Sequence, residues 1–430
     1  MTFFSYRGGI LHAEDVPLDR IAAAVGTPAY VYSRQALIAN YRNYADALDR
    51  LSVRICYALK ANDALAVIGT LAAEGAGADV VSAGELRRAM AAGISPSAII
   101  FSGVGKSRDD IRLALEVGIG QINVESIPEL HAIANVAAKL GKRAPIAIRV
   151  NPDVDAGTHD KITTGRKENK FGIDIDRAPS VFADAAAFDH VDPIGVAVHI
   201  GSQLTSLAPF EAAYGRVAEL VRTLRNDGIP LTSIDLGGGM GIDYQGEAIP
   251  EMRDYAALIE RTVGGLGCHL TIEPGRSIAG PAGVLLATTL YIKEGDSRRF
   301  AILDAGMNDL IRPALYEAWH DIQPIREPDG DAPDRDQTYD VVGPICESGD
   351  TFARHRRLGP LASGDLVAFR HAGAYGAVMA SRYNARPGAV EVLVDGSEFA
   401  IVRKRPTFEQ TIENETMPPW MTPPRQMEDV

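Results

Sequence analysis

Between residues 53 and 275 the chain repeats one pattern, in which a short apolar segment is followed by a longer amphipathic stretch. The apolar segments are rich in valine and isoleucine and nearly continuous in apolar character, which is typical of parallel strands buried on both faces. There are eight such segments, and they read "VRICYAL", "ADVVS", "AIIFSG", "QINVES", "PIAIRV", "IGVAVHI", "SIDLGGG" and "HLTIEPG".

The stretches between these segments have the spacing of helices. One of them, "SIPELHAIANVAAKLG", places apolar residues at helical intervals and ends at Gly141, in the position of a C-cap. Consecutive strand–helix units in this number predict a closed (β/α)8 TIM-like barrel. An open, doubly wound sheet is the alternative that the same pattern allows.

After Glu273 the pattern changes to strand-like segments separated by glycine and proline turns, such as "VLLATTLYIKEG" and "AVEVLVDGSEFAIVRKR". These segments predict a second, all-β barrel or sandwich domain, which N-terminal strands around "GTPAYVYS" would join. The predicted division is 1–35 for the N-terminal strands, 36–278 for the barrel, 279–407 for the β domain and 408–430 for a polar, loosely held tail.

Composition narrows the possible functions. The 430 residues, 46% hydrophobic and 23% charged, are enough for two domains with large cores. A formal charge of -13 argues against a nucleic-acid partner. The three cysteines lack the spacing of metal ligands or of a disulfide framework, and neither a membrane span nor a signal peptide is evident. We therefore expect a cytoplasmic protein with no metal site and no membrane partner.

Polar residues stand where each of the eight apolar segments ends. In a barrel of parallel strands these ends face one mouth, and that mouth holds the active site. Ordinary turns would supply mostly Gly, Asn, Asp and Ser, whereas here two cations, three carboxylates and a histidine occur. The positions are Lys60, Asp79, Ser102, Glu125, Arg149, His199 with Ser202, Gly237 to Gly239, and Glu273.

Lys60 ends the segment "ICYALKAN" and has two interpretations. A lysine that closes a strand commonly packs its stem and leaves its ammonium in water. Among so many polar strand ends we favour the other interpretation, in which a partly dry site keeps the amine reactive and able to form a Schiff base.

Glycine-rich turns follow the last two segments, in "DLGGGMGIDY" and "EPGRSIAG". Consecutive glycines let backbone amides approach an anion, and phosphate sites in such barrels commonly follow strands seven and eight. The spacing fits neither a Walker loop nor a GxGxxG dinucleotide turn. A Schiff-base lysine beside a phosphate nest indicates pyridoxal 5'-phosphate, with Glu273 at the ring nitrogen and His199 stacked on the ring.

Six motifs together resemble the fold-type III pyridoxal-phosphate decarboxylases of basic amino acids, and within them most of all the diaminopimelate decarboxylase group. The motifs are "YALKAN", "HIGSQ", "DLGGGMGI", "EPGR", "GPICESGD" and "GAYG", and they extend over almost the whole chain. The segment "THDKITTGRKENKFGI" is similar to the loop after strand five in that group.

The resemblance implies a role for each matching residue. Lys60 and Cys346 would be catalytic, the first carrying the cofactor and the second protonating the carbanion left by loss of CO2. Taken alone, Cys346 has a plainer interpretation as a small buried apolar residue. The implied cofactor-binding set is Lys60, Asp79, Arg149, His199, Ser202, Gly237, Gly238, Gly239, Glu273, Gly275, Arg276 and Tyr375. The implied substrate-binding set is Arg276, Arg312, Tyr316, Glu347 and Tyr375.

The resemblance also implies a homodimer, in which Cys346 and Glu347 reach into the neighbouring subunit's site. The implied reaction is decarboxylation of meso-2,6-diaminopimelate to L-lysine and CO2. Diaminopimelate carries a second ammonium and a second carboxylate at its far end, which Glu347 and the pair Arg276 and Arg312 would bind.

Other functions on the same fold remain as alternatives. One is a decarboxylase of ornithine, arginine, lysine or carboxynorspermidine. A diamine-forming enzyme such as ornithine decarboxylase has no distal carboxylate to bind, so an arginine pair there would be an uncompensated cost. Alanine racemases have an arginine at the ring nitrogen, where this chain has Glu273. A non-catalytic carrier of the cofactor would lack the second domain.

Overall fold

The computed structural model describes residues 3–155, 170–327 and 337–421. Most of the segment "THDKITTGRKENKFGI" lies outside these residues, as does the end of the predicted tail. The N-terminal region is a small antiparallel sheet, then a helix, a strand and a long helix. These elements are β1 (Phe4–Arg7), β2 (Ile10–Ala13), β3 (Val16–Pro17), α1 (Leu18–Val25), β4 (Ala29–Ser33) and α2 (Arg34–Leu48).

The eight apolar segments form the predicted closed barrel of parallel strands. The ring closes where the last strand pairs with the first, with Ile272 beside Ile55. Its strands are β5 (Arg54–Ala58), β6 (Gly77–Val80), β7 (Ile99–Phe101), β8 (Gln121–Val124), β9 (Ala144–Asn151) with the short β10 (Ile173–Asp174) beside it, β11 (Val191–Val198), β12 (Ser233–Asp235) and β13 (His269–Ile272). The open, doubly wound sheet is therefore wrong.

Helices surround the barrel, and their ends carry the capping residues that such helices prefer. The Ser107 hydroxyl accepts a hydrogen bond from the Asp110 amide, and the Asp110 carboxylate accepts one from the Ser107 amide, which forms a capping box. Gly141 ends its helix in the left-handed conformation, as predicted. The helices are α3 (Leu65–Ala73), α4 (Ala83–Ala91), α5 (Arg108–Val117), α6 (Ile127–Leu140), α7 (Ala178–Ala186), α8 (Ala208–Asn226), α9 (Met252–Thr262) and α10 (Arg276–Ala279).

The helix after the last barrel strand, α10, has only four residues, which is too short to cover the barrel. Helix α2 packs beside both α9 and α3 and takes the place of the eighth outer helix. The N-terminal region therefore belongs to both parts of the molecule, because β4 precedes α2 directly and enters the second sheet.

The second domain is a β-sheet domain, as predicted, in which β4 lies between two C-terminal strands. It runs antiparallel to β14 and parallel to β20. The C-terminal elements are β14 (Gly283–Glu294), β15 (Arg299–Leu303), α11 (Arg312–Tyr316), β16 (Ile322–Pro324), β17 (Thr338–Val342), β18 (Thr351–Arg357), β19 (Leu366–Phe369), β20 (Val390–Asp395), β21 (Glu398–Arg403) and α12 (Phe408–Ile412). The exact domain boundaries stay a prediction.

Alternation along β4 joins the two domains. Tyr30 and Tyr32 are fully buried in the large core that includes the barrel, whereas Ala29 and Val31 face a smaller core under the N-terminal sheet. Tyr32 donates a 2.8 Å hydrogen bond to Glu391 on β20, so its buried hydroxyl is satisfied. The β domain is thereby held close to the carboxyl ends of the barrel strands. No helix in the described part of the chain has the length and apolar character to cross a membrane.

Candidate active site

A cavity of about 610 Å³ lies where the β domain meets the carboxyl ends of the barrel strands. A small extension of about 20 Å³ continues from it into the barrel, and Lys60 and His199 line both spaces. The structure therefore brings most of the predicted residues together. Those lining the main cavity are Lys60, Arg149, His199, Ser202, Arg276, Arg312, Tyr316 and Tyr375, and Glu273 lines the extension.

Lys60 sits in a short turn directly after β5, with its amine directed at the end of β6. Its Nζ donates a 3.0 Å hydrogen bond to Oδ2 of Asp79, which is fully buried. Burial alone would lower the pKa of Lys60, but the carboxylates of Asp79 and Glu273 outweigh burial and raise the pKa. The amine is therefore held as an ammonium by the carboxylates around it.

Three buried carboxylates form what we call the acidic floor, made of Asp79, Asp235 and Glu273. Burial, together with the neighbouring Asp235 and Asp79, raises the pKa of Glu273 well above its ordinary value. Asp235 accepts hydrogen bonds from Asn123 at 2.8 Å and from the Gly237 amide at 3.0 Å. These donors favour the charged form of Asp235. Of the two neighbouring carboxyl groups, Asp235 and Glu273, it is therefore Glu273 that carries a proton.

Asp235 and its neighbour Asn123 were not predicted. Asn123 lies inside β8 and bonds to both Asp235 and Ser102, and Ser102 in turn donates to Glu273 at 3.4 Å. A signal for Asn123 existed, since Gln121, Asn123 and Glu125 alternate along an apolar segment and so share the inner face of the barrel.

His199 follows β11 and carries a neutral ring. Its Nδ1 accepts a 3.1 Å hydrogen bond from the Gly238 amide, so the ring proton is on Nε2. Burial, with the positive charges of Arg149 and Lys60, lowers the pKa of His199 well below its usual value. A flat, uncharged ring is therefore fixed beside the Lys60 amine, as stacking on a cofactor requires.

Two buried ion pairs hold the loops around the cavity. Arg149 Nη1 lies 2.7 Å from Oε1 of Glu125, and its guanidinium stacks on Phe171 with 5.0 Å to the ring centroid. Lys106, which was not predicted, has no exposed side-chain surface and pairs with Glu129 at 2.7 Å. The first pair links β9 to the turn after β8, and the second links the turn after β7 to the start of α6.

The three consecutive glycines are required by close packing. A Cβ added at Gly238 would lie 2.1 Å from the carbonyl oxygen of Glu273, and one at Gly239 would lie 2.5 Å from that of Gly201. The amides of Gly237 and Gly238 are already bonded to Asp235 and His199, which differs from the prediction that all three face a phosphate.

Of the three glycine amides, that of Gly239 is the one without a hydrogen-bond acceptor among the described residues. Gly275 is packed tightly as well, because a Cβ there would lie 3.0 Å from that of Ala61. The Lys60 amine, the neutral His199 ring, the protonated Glu273 and a glycine cradle line connected spaces. These groups fit pyridoxal 5'-phosphate, which needs an amine, a ring partner, an acid for its nitrogen and amides for its phosphate.

Two guanidinium groups on the β-domain side form what we call the arginine wall, made of Arg276 and Arg312. Both are buried, with 7% and 6% of their surfaces exposed. Among the described residues neither pairs with a carboxylate, and Nε of Arg312 has no hydrogen-bond partner. Buried cations without a counter-charge are costly, so the wall is built for an anion.

Tyr375 and Ser202 both contact Arg276. The Tyr375 ring lies under that guanidinium with 4.8 Å to the centroid, and the Tyr375 amide donates a 2.7 Å bond to the Ala61 carbonyl, next to Lys60. Ser202 Oγ accepts from Arg276 Nε at 3.3 Å and Nη2 at 3.1 Å. Ser202, predicted to bind the cofactor, thus supports the arginine wall in this structure.

Cys346 and Glu347 are exposed and lie outside the cavity of their own chain. Asp350 fixes the loop that carries them, because its two carboxylate oxygens accept 2.6 Å bonds from the amides of Met307 and Ile345. The interpretation of Cys346 as a buried apolar residue is therefore wrong. Within one chain the structure does not bring these two residues to Lys60.

Comparison with known proteins agrees with this geometry. Residues 34–280 match the family described as "Pyridoxal-dependent decarboxylase, pyridoxal binding domain". The chain is 54% identical to a diaminopimelate decarboxylase of Pseudomonas aeruginosa, over 97% of this chain and 100% of that protein. It is 47% identical to that of Zymomonas mobilis, over 97% of this chain and 99% of the relative.

Solved structures show the same relationship. The diaminopimelate decarboxylase of Helicobacter pylori complexed with L-lysine is 42% identical, with a TM-score of 0.88 over 92% of this chain and 98% of that one. The diaminopimelate decarboxylase of M. jannaschii is 36% identical, with a TM-score of 0.92 over 97% and 98% of the two chains. The chain therefore belongs to the diaminopimelate decarboxylase family of pyridoxal-dependent decarboxylases.

Proposed function

We propose that this protein decarboxylates meso-diaminopimelate to L-lysine and CO2 with pyridoxal 5'-phosphate, as a step of lysine biosynthesis. The observation that carries the substrate assignment is the arginine wall, two buried guanidiniums without a carboxylate partner in the described residues, facing the cavity that contains Lys60. An amino acid with a second carboxylate at its far end supplies the missing counter-charge.

The residues at the floor would hold the cofactor. Lys60 would attach it covalently, the neutral His199 ring would lie against its ring, and Gly239 with the turn at Gly275 would bind its phosphate. Bound pyridoxal phosphate supplies an electron sink for the pair of electrons left when CO2 departs. Glu273 holds a proton on its buried carboxyl and can share it with a ring nitrogen, while the charged Asp235 keeps that proton on Glu273.

Substrate recognition would divide between two kinds of charge. Arg276 and Arg312 would bind the distal carboxylate, with Tyr316 at the edge of the same cavity. The distal ammonium would need a carboxylate, and Glu347 is the predicted one. Ornithine and arginine have no carboxylate at their far ends. Either substrate would therefore leave both cations of the arginine wall without a counter-charge.

We also propose that the active unit is a homodimer, with Cys346 and Glu347 of one subunit completing the site of the other. Both residues are exposed, on a loop that Asp350 holds rigidly, and neither lines the cavity of its own chain. A thiol is a general acid, so Cys346 of one subunit would protonate the carbanion in the site of the other. The three cysteines are free, as a cytoplasmic location would require.

Purified protein supplied with pyridoxal phosphate tests the activity. We expect CO2 release from meso-diaminopimelate, and little from L-lysine, L-ornithine or L-arginine. Borohydride should fix the cofactor on the wild-type chain at Lys60, and Lys60→Ala should lose both fixation and activity. Lys139→Ala, at an exposed lysine on α6, is the matched control and should behave as wild type. Release from the other three amino acids alone would overturn the substrate assignment.

Mixing two inactive variants tests the shared site. Lys60→Ala and Cys346→Ala homodimers should each be inactive. After subunit exchange, half of the dimers carry both variants, and each of these regains one complete site of two, so about a quarter of wild-type activity should return. If Cys346 served its own chain, the mixed dimer would have no intact site and mixing would restore nothing.

A further inference from the structure

Tyr244 lines the cavity but follows no barrel strand directly, and it was not predicted as a site residue. It lies in the loop after β12, and its backbone is fixed on both sides. Its amide donates a 2.7 Å bond to Glu247, and the preceding Ile242 exchanges two bonds with the Gln203 side chain, at 2.6 Å and 3.2 Å. The backbone that carries Tyr244 is therefore held by hydrogen bonds within its own loop and to Gln203.

This one side chain contacts both members of the arginine wall, in two different ways. Its hydroxyl accepts a 3.0 Å hydrogen bond from Nη1 of Arg276. The face of its ring lies against the guanidinium of Arg312, with 4.9 Å from Cζ to the ring centroid. A hydroxyl acceptor and an aromatic face each stabilise a cation, so Tyr244 stabilises the two cations at a fixed separation.

The other supports of the wall each contact one arginine only. Tyr375 and Ser202 contact Arg276, as described above. His320 Nε2 accepts a 2.8 Å bond from Arg312, and its Nδ1 donates a 2.8 Å bond to the Arg370 carbonyl. Among these side chains Tyr244 is the one shared by both cations.

We propose that Tyr244 is a positioning residue that sets the distance between the Arg276 and Arg312 guanidiniums, so that both bind one carboxylate. Two cations held close together repel each other, and without Tyr244 they would move apart or turn toward solvent. A carboxylate at the far end of the substrate then finds a preorganised pair, whereas a far end without a carboxylate gains nothing from it. This inference rests on the proposed function and names how the site selects its substrate.

Two variants separate the two contacts. Tyr244→Phe keeps the ring under Arg312 and removes the acceptor of Arg276, and Tyr244→Leu removes both. L-Lysine, the proposed product, retains the distal carboxylate, whereas cadaverine lacks it, so the two serve as matched inhibitors. For Tyr244→Phe, we expect the KM for meso-diaminopimelate and the inhibition constant of L-lysine to rise about tenfold. Tyr244→Leu should raise both further, and kcat should change less than KM because the distal end is bound equally throughout the reaction.

Inhibition by cadaverine distinguishes a positioning role from general damage to the site, because general damage would weaken the binding of both inhibitors. It should stay within about twofold of wild type in both variants, because cadaverine makes no use of the arginine wall. Tyr291→Phe, at an exposed tyrosine on β14, is the control for the loss of a hydroxyl elsewhere. Equal weakening of L-lysine and cadaverine, or no weakening of L-lysine, would overturn the role of Tyr244. Failure of the wild-type protein to turn over meso-diaminopimelate would instead overturn the proposed function.

Discussion

The acidic floor and the arginine wall are two ends of one cavity, and they differ in charge and in origin. The floor places three carboxylates around one lysine, and all of its members come from the ends of barrel strands. The wall places two cations among aromatic rings, and it is assembled from the short α10, from α11 and from the loop after β12. A molecule that fits both ends needs a cationic or proton-accepting part at one end and a carboxylate at the other.

This contrast indicates a division of work within one cavity. In the proposed function, groups at the floor would contact the reacting end of the substrate, so changes there should act on kcat. Groups at the wall would contact the far end, which does not react, so changes there should act on binding in every state and appear in KM. The two regions should therefore respond differently to substitution and to pH.

The largest effect is expected at the floor. Glu273→Gln keeps the size of the side chain but removes the acidic proton that the ring nitrogen would share. We expect kcat to fall by roughly 10²- to 10³-fold, with a smaller change in KM, because the carbanion loses its electrostatic stabilisation. Steady-state CO2 release measures both constants. If the Glu273→Gln protein had the kcat of the wild type, the acidic floor would have no role in catalysis.

A smaller effect is expected at the wall. Arg312→Lys keeps the charge but loses the planar group that stacks on Tyr244 and donates to His320. We expect the KM for meso-diaminopimelate to rise roughly 10- to 100-fold with kcat nearly unchanged, as for the loss of one charged hydrogen bond. Arg143→Lys, at an exposed arginine outside the cavity, should leave both constants unchanged. A fall in kcat without a change in KM would contradict the division of work.

The smallest effect concerns stability and pH. Burial, with the charge of Arg312, lowers the pKa of His320 from 6.5 to about 3. Its neutral form is therefore stabilising above pH 6.5, and that contribution is lost as the pH falls toward 3. Glu273 behaves in the opposite way, since a raised pKa gives stability that is present at low pH and is lost as the pH rises.

Urea denaturation of the cofactor-free protein from pH 5 to 8 separates these two contributions. Relative to wild type, His320→Gln should gain stability as the pH falls below 6.5, by about 1.4 kcal/mol per pH unit for one proton. Glu273→Gln should gain stability relative to wild type as the pH rises. Parallel curves for the three proteins would show that neither group titrates as its burial requires.

Much of the floor could be predicted because its members follow strands. An apolar segment that ends in a polar residue places that residue at the barrel mouth, which located Lys60, His199 and Glu273 from sequence position alone. Asp235 and Asn123 were missed, although polar residues at alternating positions of an apolar segment indicate the inner face of the barrel.

The wall and the loop at Cys346 were harder to predict. The resemblance selected Arg276 and Arg312, but it gave no hint of Tyr244 or His320, which come from irregular segments whose contacts are long-range. Ser202 was assigned to the cofactor and the amides of Gly237 and Gly238 to its phosphate, whereas in the structure all three bond to protein groups. Sequence position cannot reveal whether a polar group bonds to the protein or to a phosphate, because the choice depends on which groups lie close together in the folded chain.

Local sequence patterns were enough to predict the barrel, the place of its mouth and the chemical character of the floor, since strand periodicity and the polarity of strand ends are local properties. How Tyr244 joins two arginines, and how β4 and α2 connect the two domains, became evident only from the folded chain. A hydrogen bond or a stacked cation depends on distances between segments far apart in the chain. Those distances are set by packing and not by any neighbouring residues.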